Sequence, residues 1–281
     1  SVIRPLERLI NEREIEVDYI DFDQKSAEVN YKELENKIKD NTKLIVSSHA
    51  SNVLGTVNNL EKIGKIAAAE NILFLVDAAQ SAGVIPIDVD KMKIDFLAVP
   101  GHKSLFGPPG IGALYVRNME TLLPLKEGGT GTNSLKTLQP EIMPDYLEAG
   151  TLNTVGIIGL GAGLDFILNQ GLKNIHQKEM KLLKKILDGL TSLPKIKVYG
   201  KKDIENRTAV TAFNLDGYSS NQLAFEMQNE YDIQLRGGLH CAPLLHKFLG
   251  TDNQGMLRIS PGYFNTEAEV NEFLNILESL I

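Results

Sequence analysis

The sequence predicts an α/β protein in which a mainly parallel sheet lies between helices, followed by a smaller C-terminal α+β domain. In the first half, unbroken apolar segments of strand length alternate with amphipathic helical patterns. Continuous apolar strands separated by helices are typical of a parallel sheet covered on both faces. From residue 195 the order changes to two strands before the next helix, which favours an α+β arrangement. A length of 281 residues agrees with about two domains.

The elements of the first half follow from local patterns. A helix is predicted at 4–14 and a short strand at 16–22. The segment 60–70 predicts an amphipathic helix, because Leu60, Ile63 and Ile66 fall on one face. A further helix is predicted at 31–39, and further strands at 43–47, 72–76, 96–99 and 113–116. In domains of this kind, ligands bind at the carboxyl ends of the parallel strands.

The second half begins with a long helical region. Residues 155–194 are predicted to connect a large domain, 1–154, to a small one, 195–281. The small domain has predicted strands at 196–199, 209–215, 233–235 and 256–259, and predicted helices at 221–231, after Pro243 and at 267–280. No internal repeat or low-complexity tract interrupts the pattern.

Composition excludes several classes of protein. Hydrophobic residues make up 43% and charged residues 23% of the chain, which is ordinary for a globular protein and not for a disordered one. A net charge of −7 gives no electrostatic reason to expect nucleic acid or an anionic membrane as partner. The one cysteine precludes an internal disulfide, so a cytoplasmic location is expected. One cysteine and five histidines also offer few ligands for a metal, so no metal site is expected.

Two residues at strand ends suggest chemistry on a cofactor. Lys103 follows the apolar strand 96–99 and is flanked by glycines, a setting in which a lysine amine can act as a nucleophile and form an imine with an aldehyde. A solvated loop lysine is the alternative. Asp77 ends the strand 72–76 and suits the counter-ion of a pyridinium nitrogen, although a helix-capping carboxylate is an equally good interpretation of Asp77 alone. Gln80, one turn later, could donate to a ring oxygen.

These motifs resemble a known family. Residues 76–80 (VDAAQ), 101–103 (GHK), 51–56 (SNVLGT) and 148–154 (EAGTLNT) are similar to those of the class V aminotransferase group of pyridoxal-phosphate (PLP) enzymes, which have the PLP-dependent transferase fold type I. The resemblance covers the whole chain. It implies that 1–154 is a large PLP-binding domain whose N-terminal part is missing from this sequence.

The resemblance implies roles for single residues. Lys103 would bind PLP covalently and move the substrate Cα proton, and Asp77 would pair with the pyridine nitrogen. Asn52 and Gln80 would lie near the ring, with Asn52 also near the substrate, and His102 would contact the phosphate. Thr151 would reach the phosphate of the neighbouring subunit, which implies a homodimer with shared sites. Where many relatives have a phosphate-binding Ser or Thr, this chain has Pro100.

A second motif narrows the expected reaction. Residues 236–243 (RGGLHCAP) resemble the active-site loop of short-loop cysteine desulfurases, in which the cysteine takes sulfur from L-cysteine and becomes a persulfide. Cys241 would be the nucleophile, and cationic neighbours, Arg236 and His240, would favour its thiolate. Where the family often has a second histidine, this chain has Leu239. Arg258 matches the arginine that binds the substrate carboxylate, and Arg236 is a further substrate-binding candidate. A buried structural thiol and surface ion pairs are the alternatives for these residues.

The predicted function is therefore a PLP-dependent cysteine desulfurase, a sulfurtransferase that converts L-cysteine to L-alanine and passes sulfur to an acceptor protein. Selenocysteine lyase, and an aminotransferase or epimerase acting on another amino acid, are alternatives on the same cofactor. A PLP-free interaction module is a third, because the chain starts at Ser1 without a methionine and the family's ring-stacking histidine is expected to precede that residue.

Overall fold

The computed structural model describes residues 2–13, 15–23, 26–133, 135 and 137–281. Its strands are β1 (Leu44–Ser48), β2 (Leu73–Asp77), β3 (Phe96–Pro100), β4 (Gly112–Val116), β5 (Ile196–Tyr199), β6 (Thr211–Leu215) and β7 (Leu257–Ile259). Its α-helices are α1 (Ile3–Arg13), α2 (Tyr31–Lys37), α3 (Leu60–Ala69), α4 (Thr154–Gln170), α5 (Leu172–Ser192), α6 (Ser220–Tyr231), α7 (Pro243–Leu249) and α8 (Glu267–Ser279). A 3₁₀ turn covers Met119–Thr121. Glu14, the predicted end of the first helix, lies outside the described residues.

The described chain divides into two compact units. One unit contains residues 1–42, 49–59 and 173–281, and the other contains 43–48 and 60–172. We call them the cysteine unit and the lysine unit, after Cys241 and Lys103. Each is assembled from separate stretches of chain, whereas the predicted domains 1–154, 155–194 and 195–281 follow sequence order. That division stays a prediction.

The lysine unit contains a four-stranded sheet in the order β1–β2–β3–β4. The first three strands are parallel and β4 is antiparallel to β3, so the predicted mixed α/β architecture with a mainly parallel sheet is confirmed. The connection between β3 and β4 contains no helix, and a parallel return requires a crossover of a dozen or more residues. The core includes Phe74 and Val76 of β2 and Ile63 of α3, all fully or almost fully buried.

The cysteine unit contains the antiparallel sheet β5–β6–β7. Its main core joins apolar side chains from β6, β7 and helices α5, α6 and α8, and within it Phe213 and Phe273 lie in edge contact, 6.2 Å apart between ring centroids. The predicted helical region within 155–194 is broken at Gly171, where φ is +81°. Among described residues, no single helix is long and apolar enough to cross a membrane, although α4 and α5 pass that test as a broken pair.

Two predicted strands are wrong. Residues 16–22 have no ladder partner among the described residues and form only a bridge between Phe22 and Val29. Residues 233–235 are not a strand either, because the pairing begins later: Arg236 exchanges backbone hydrogen bonds with Arg258, and Gly238 with Met256. This shift along the chain places the paired segment directly before Cys241.

Candidate active site

Asp77 and Lys103 follow neighbouring strands of the lysine unit. Asp77 is the last residue of β2 and is in register with Ala98 of β3, and Lys103 lies in the turn after β3. Both strands are parallel, so both residues belong to the carboxyl edge of the sheet. The Asp77 Oδ1 atom accepts a hydrogen bond from the amide of Ala79 at 2.9 Å, which orients the half-buried carboxylate.

The loop that carries Lys103 has a well-defined backbone. The amide of Phe106 donates to the Lys103 carbonyl at 3.0 Å, and the amide of Gly107 donates to the Gly101 carbonyl at 2.8 Å. The Phe106 ring lies edge-on to Phe166 of α4, at 5.2 Å between centroids. Lys103 is an exposed residue whose backbone position is held by these hydrogen bonds.

A glycine allows the turn after Asp77 to pack closely against the loop that carries Lys103. Gly83 has a φ of +86°, and a Cβ at this position would collide with the carbonyl oxygen of Ser104. Only glycine allows both this conformation and this close approach. The two loops that follow β2 and β3 therefore pack backbone to backbone beside the predicted cofactor residues.

The other predicted cofactor residues of this unit lie on its loops. Gln80 is half-buried in the turn after β2, and His102 is exposed beside Lys103. Thr151 is exposed and lies two residues before Asn153, whose side chain caps α4 by accepting from the Gly156 amide at 3.0 Å. Their predicted contacts with PLP stay predictions.

The chemistry of Asp77 and Lys103 fits PLP. The cofactor's aldehyde requires a primary amine, and its pyridinium nitrogen requires a carboxylate. The lysine unit offers one of each at adjacent strand ends, each on a backbone that hydrogen bonds hold in place. Pro100 ends β3 and contributes no hydroxyl group for a phosphate.

The predicted nucleophile lies in the cysteine unit beside a cation. Cys241 is exposed, and Nη2 of Arg236 lies 3.8 Å from its sulfur. The Arg236 guanidinium is therefore the charged group in hydrogen-bonding contact with the sulfur. The backbone of Arg236 pairs with that of Arg258 through two hydrogen bonds, of 3.2 and 2.8 Å. The two predicted substrate-binding arginines are therefore directly opposite each other in an antiparallel β-bridge.

The loop has an uncommon backbone conformation at Cys241. His240 and Cys241 both have positive φ angles, of 51° and 59°. For residues other than glycine, the left-handed conformation costs roughly 1–2 kcal/mol each. The surrounding structure must therefore supply contacts that hold the two residues in this conformation. The chain then enters α7 at Pro243.

The expectation that His240 is a cationic neighbour of Cys241 is wrong. Its side chain is only 2% exposed. Burial lowers the pKa of His240 to about 4, and the positive charges of Arg258 and Arg236 act in the same direction, although the hydrogen bond to Met256 opposes them. The imidazole is therefore neutral near pH 7, and the cation next to the thiol is Arg236.

Asn52 links Arg258 to residues 236–243, which contain Cys241 and which we call the cysteine loop. Nη1 of Arg258 donates to the Asn52 carbonyl at 3.0 Å, and Nδ2 of Asn52 donates to the His240 carbonyl at 2.6 Å. Arg258 is half-buried, and burial lowers its pKa, with the neighbouring Arg236 adding to this effect. Its Nε atom is buried and has no hydrogen-bond partner among the described residues, and a guanidinium has five N–H donors, of which the bond to Asn52 uses one.

Sequence reasoning missed a buried arginine that supports the Asn52 loop. Arg207 is 1% exposed, and its Nη2 atom donates to the carbonyls of Leu54 and Val210 at 3.0 and 2.8 Å. Its Nη1 atom donates to the carbonyls of Lys201 and Asp203. Three of these carbonyls lie within six residues of Arg207, but the contact that makes it a support of the Asn52 loop, to Leu54, spans 153 positions and leaves no signal in the local sequence.

Comparisons with known proteins agree with the predicted family. The family model for class V aminotransferases matches residues 1–273. The probable cysteine desulfurase of Pyrococcus abyssi is 36% identical over 289 residues, which cover 100% of this chain and 70% of that protein. A cysteine desulfurase of Escherichia coli K12 is 36% identical over 246 residues, covering 86% of this chain and 59% of its own length.

A solved structure agrees as well. The apo cysteine desulfurase of Thermococcus onnurineus superimposes with a TM-score of 0.92 at 36% identity, covering 99% of this chain and 69% of that one. The predicted fold type is thereby confirmed. Enzymes of this family depend on PLP in general. With a family match over nearly the whole chain and a relative 36% identical along its full length, this chain belongs to the class V aminotransferase family.

Proposed function

We propose that this chain is a PLP-dependent cysteine desulfurase that converts L-cysteine to L-alanine and retains the sulfur on Cys241. The names of the relatives support this activity. The observation that carries the proposal is the exposed Cys241 thiol, which lies 3.8 Å from Arg236 in a loop bridged to Arg258. A transaminase reaction has no use for such a thiol.

The residues of the lysine unit would hold the cofactor and move protons. Lys103 would bind the cofactor aldehyde through Nζ, and Asp77 would keep the pyridine nitrogen protonated. When bound, PLP supplies an electron sink for the carbanion at the substrate Cα. Lys103 Nζ, released by the incoming amino group, would take the Cα proton and later return a proton.

The residues of the cysteine unit would bind the substrate and take its sulfur. Arg258 would bind the substrate carboxylate, since its planar fork suits two oxygen atoms. The Cys241 thiolate would attack the substrate sulfur, so that the new S–S bond forms as the substrate Cβ–S bond breaks. The electron pair of the broken bond stays with the carbon skeleton, which gains protons and leaves as alanine. Cys241 is left as a persulfide, and no external oxidant or reductant is consumed.

We further propose a homodimer, and a sulfur-acceptor protein as a second partner. Helix α4 has apolar side chains that are largely solvent-exposed, including Val155 at 82%, Ile158 at 68% and Leu168 at 78%. Exposed apolar surface of this kind is usually covered by another surface. The exposed position of Cys241 suits transfer of its persulfide to an acceptor thiol, and a free thiol is best preserved in the reducing cytoplasm.

The first experiment measures alanine and sulfide from L-cysteine, with PLP and a thiol reductant, for this chain and for Cys241→Ser. We expect equal amounts of both products from the unmodified chain and none above background from the variant. Full activity in the variant would refute Cys241 as the nucleophile. Binding of PLP without turnover of L-cysteine would favour another amino acid or selenocysteine as substrate. The absence of PLP binding would favour a PLP-free interaction module.

A further inference from the structure

His240 is anchored on both its side chain and its backbone. Its Nε2 atom lies 2.9 Å from the Met256 carbonyl oxygen, and because a carbonyl oxygen only accepts, Nε2 carries the proton. Its own carbonyl accepts the hydrogen bond from Asn52 Nδ2 at 2.6 Å. Both contacts lie within the cysteine unit and flank the peptide bond that leads to Cys241.

We propose that His240 is a positioning residue that fixes the Cys241 thiol beside Arg236, and that it is not an acid or base in the reaction. This inference rests on the proposed function, because it assigns how the nucleophile of that reaction is held. The two consecutive residues with positive φ would relax toward the common right-handed conformations without such anchors. The sulfur would then leave its place 3.8 Å from the guanidinium of Arg236.

The surroundings of the imidazole explain why it stays neutral. The charged or titratable groups that act on it are Arg258 from β7, Arg236 from the bridge to β7, and His246 from α7, whose ring centroid is 5.9 Å away. All three oppose a positive charge on His240. A neutral ring that donates to a backbone carbonyl can hold a loop in place but supplies no charge to the thiol.

Three variants separate positioning from general stability. His240→Leu removes the donor and keeps an apolar side chain of moderate size. His240→Gln retains an N–H donor on a flexible side chain of similar reach. His246→Leu is the matched control, because His246 is also completely buried and hydrogen-bonded, through Nδ1 to Thr251 Oγ1 at 2.9 Å, and its ring is not bonded to the backbone of the cysteine loop.

The first measurement is the steady-state formation of alanine from L-cysteine by the PLP-loaded chain. A displacement of about 1 Å in a reacting group can lower a rate roughly 100-fold. We therefore expect His240→Leu to lower kcat by about 10- to 100-fold, with KM changed less than about threefold. His240→Gln should recover most of this loss, whereas His246→Leu should lower the melting temperature and leave kcat near that of the unmodified chain.

The second measurement needs neither PLP nor turnover. Cys241 is alkylated with iodoacetate, which is anionic, and with iodoacetamide, which is neutral, and the ratio of the two rates is taken. A cation about 4 Å away should favour the anionic reagent by about fivefold in water. His240→Leu should lose this preference, as should Arg236→Gln, whereas His240→Gln and His246→Leu should retain it.

The outcomes are separable. If the unmodified chain forms no alanine, the proposed function fails, and the alkylation ratio still decides whether His240 positions the thiol. An unchanged ratio in His240→Leu would overturn the inference. So would an equal loss of kcat in His246→Leu, since that result would assign the effect to stability. A His240→Gln variant no better than His240→Leu would also contradict it, because the donor would then be irrelevant.

Discussion

Replacing Arg258 by lysine tests the proposed carboxylate site while keeping the charge. The guanidinium already uses Nη1 to donate to the Asn52 carbonyl at 3.0 Å, and it has further donors to offer a substrate. A lysine ammonium has three donors at one point and cannot reproduce the planar fork that serves a carboxylate and the carbonyl together. We expect the variant to lose about one hydrogen bond to a charged group, which is about 1.5–3 kcal/mol.

That loss corresponds to a decrease of roughly 10- to 150-fold in kcat/KM for L-cysteine. Most of it should appear in KM, because the contact to the carboxylate is made before and during the reaction alike. Arg236→Gln is the contrasting variant: its guanidinium lies beside the Cys241 sulfur, so it should lower kcat and change KM little. The assay is initial-rate alanine formation over a range of L-cysteine concentrations. Arg258→Lys within about threefold of the unmodified chain would refute the assignment, as would an increase of KM confined to Arg236→Gln.

Two further predictions concern stability. Arg207→Met should lower the free energy of unfolding by at least about 3 kcal/mol in urea titrations, because four backbone carbonyls lose a buried donor and each unsatisfied group costs about 1–3 kcal/mol. An effect as small as that of removing the exposed Arg8–Glu12 pair would contradict this prediction. Glu179 is 7% exposed, and burial raises its pKa from 4.5 to about 7, against a hydrogen bond from the Tyr263 amide. The folded state therefore holds the Glu179 proton more tightly than the unfolded state, so stability is lost as the pH rises from about 4.5 to 7. Glu179→Gln should remove that loss, amounting to about 3 kcal/mol, and an identical pH dependence of unfolding in both chains would refute this.

Most elements of the fold are readable from the sequence because their signals are local. The apolar run that predicts β2 and the one-sided apolar pattern that predicts α3 each depend on adjacent residues only. The segment 16–22 shows where this fails. Its side chains alternate between exposed and half-buried along much of its length, as in a strand, but a strand also needs a neighbour to complete its ladder. Whether a neighbouring strand is present depends on the whole fold, and the sequence of residues 16–22 does not reveal it.

The candidate site divides in the same way. Asp77, Lys103 and Cys241 stand in short motifs that a single sequence displays. The contacts that hold the cysteine loop in place join distant parts of the chain and are not visible in any short motif. The bond from Asn52 to His240 spans 188 positions, that from Arg258 to Asn52 spans 206, and that from Arg207 to Leu54 spans 153. Without the structure, these polar residues cannot be told apart from surface residues of the same types.

The cysteine loop also shows why its anchor must be a neighbouring residue. A thiol that attacks a substrate and passes sulfur to an acceptor must be exposed, and an exposed side chain gains little from packing. Its position must therefore be fixed through the backbone, and the residue best placed to do so is the preceding one. His240 is buried, neutral and hydrogen-bonded at its ring and its carbonyl. Access at Cys241 and rigidity at His240 are thus divided between adjacent residues, so His240→Leu should displace the thiol from Arg236 although Cys241 itself is not substituted.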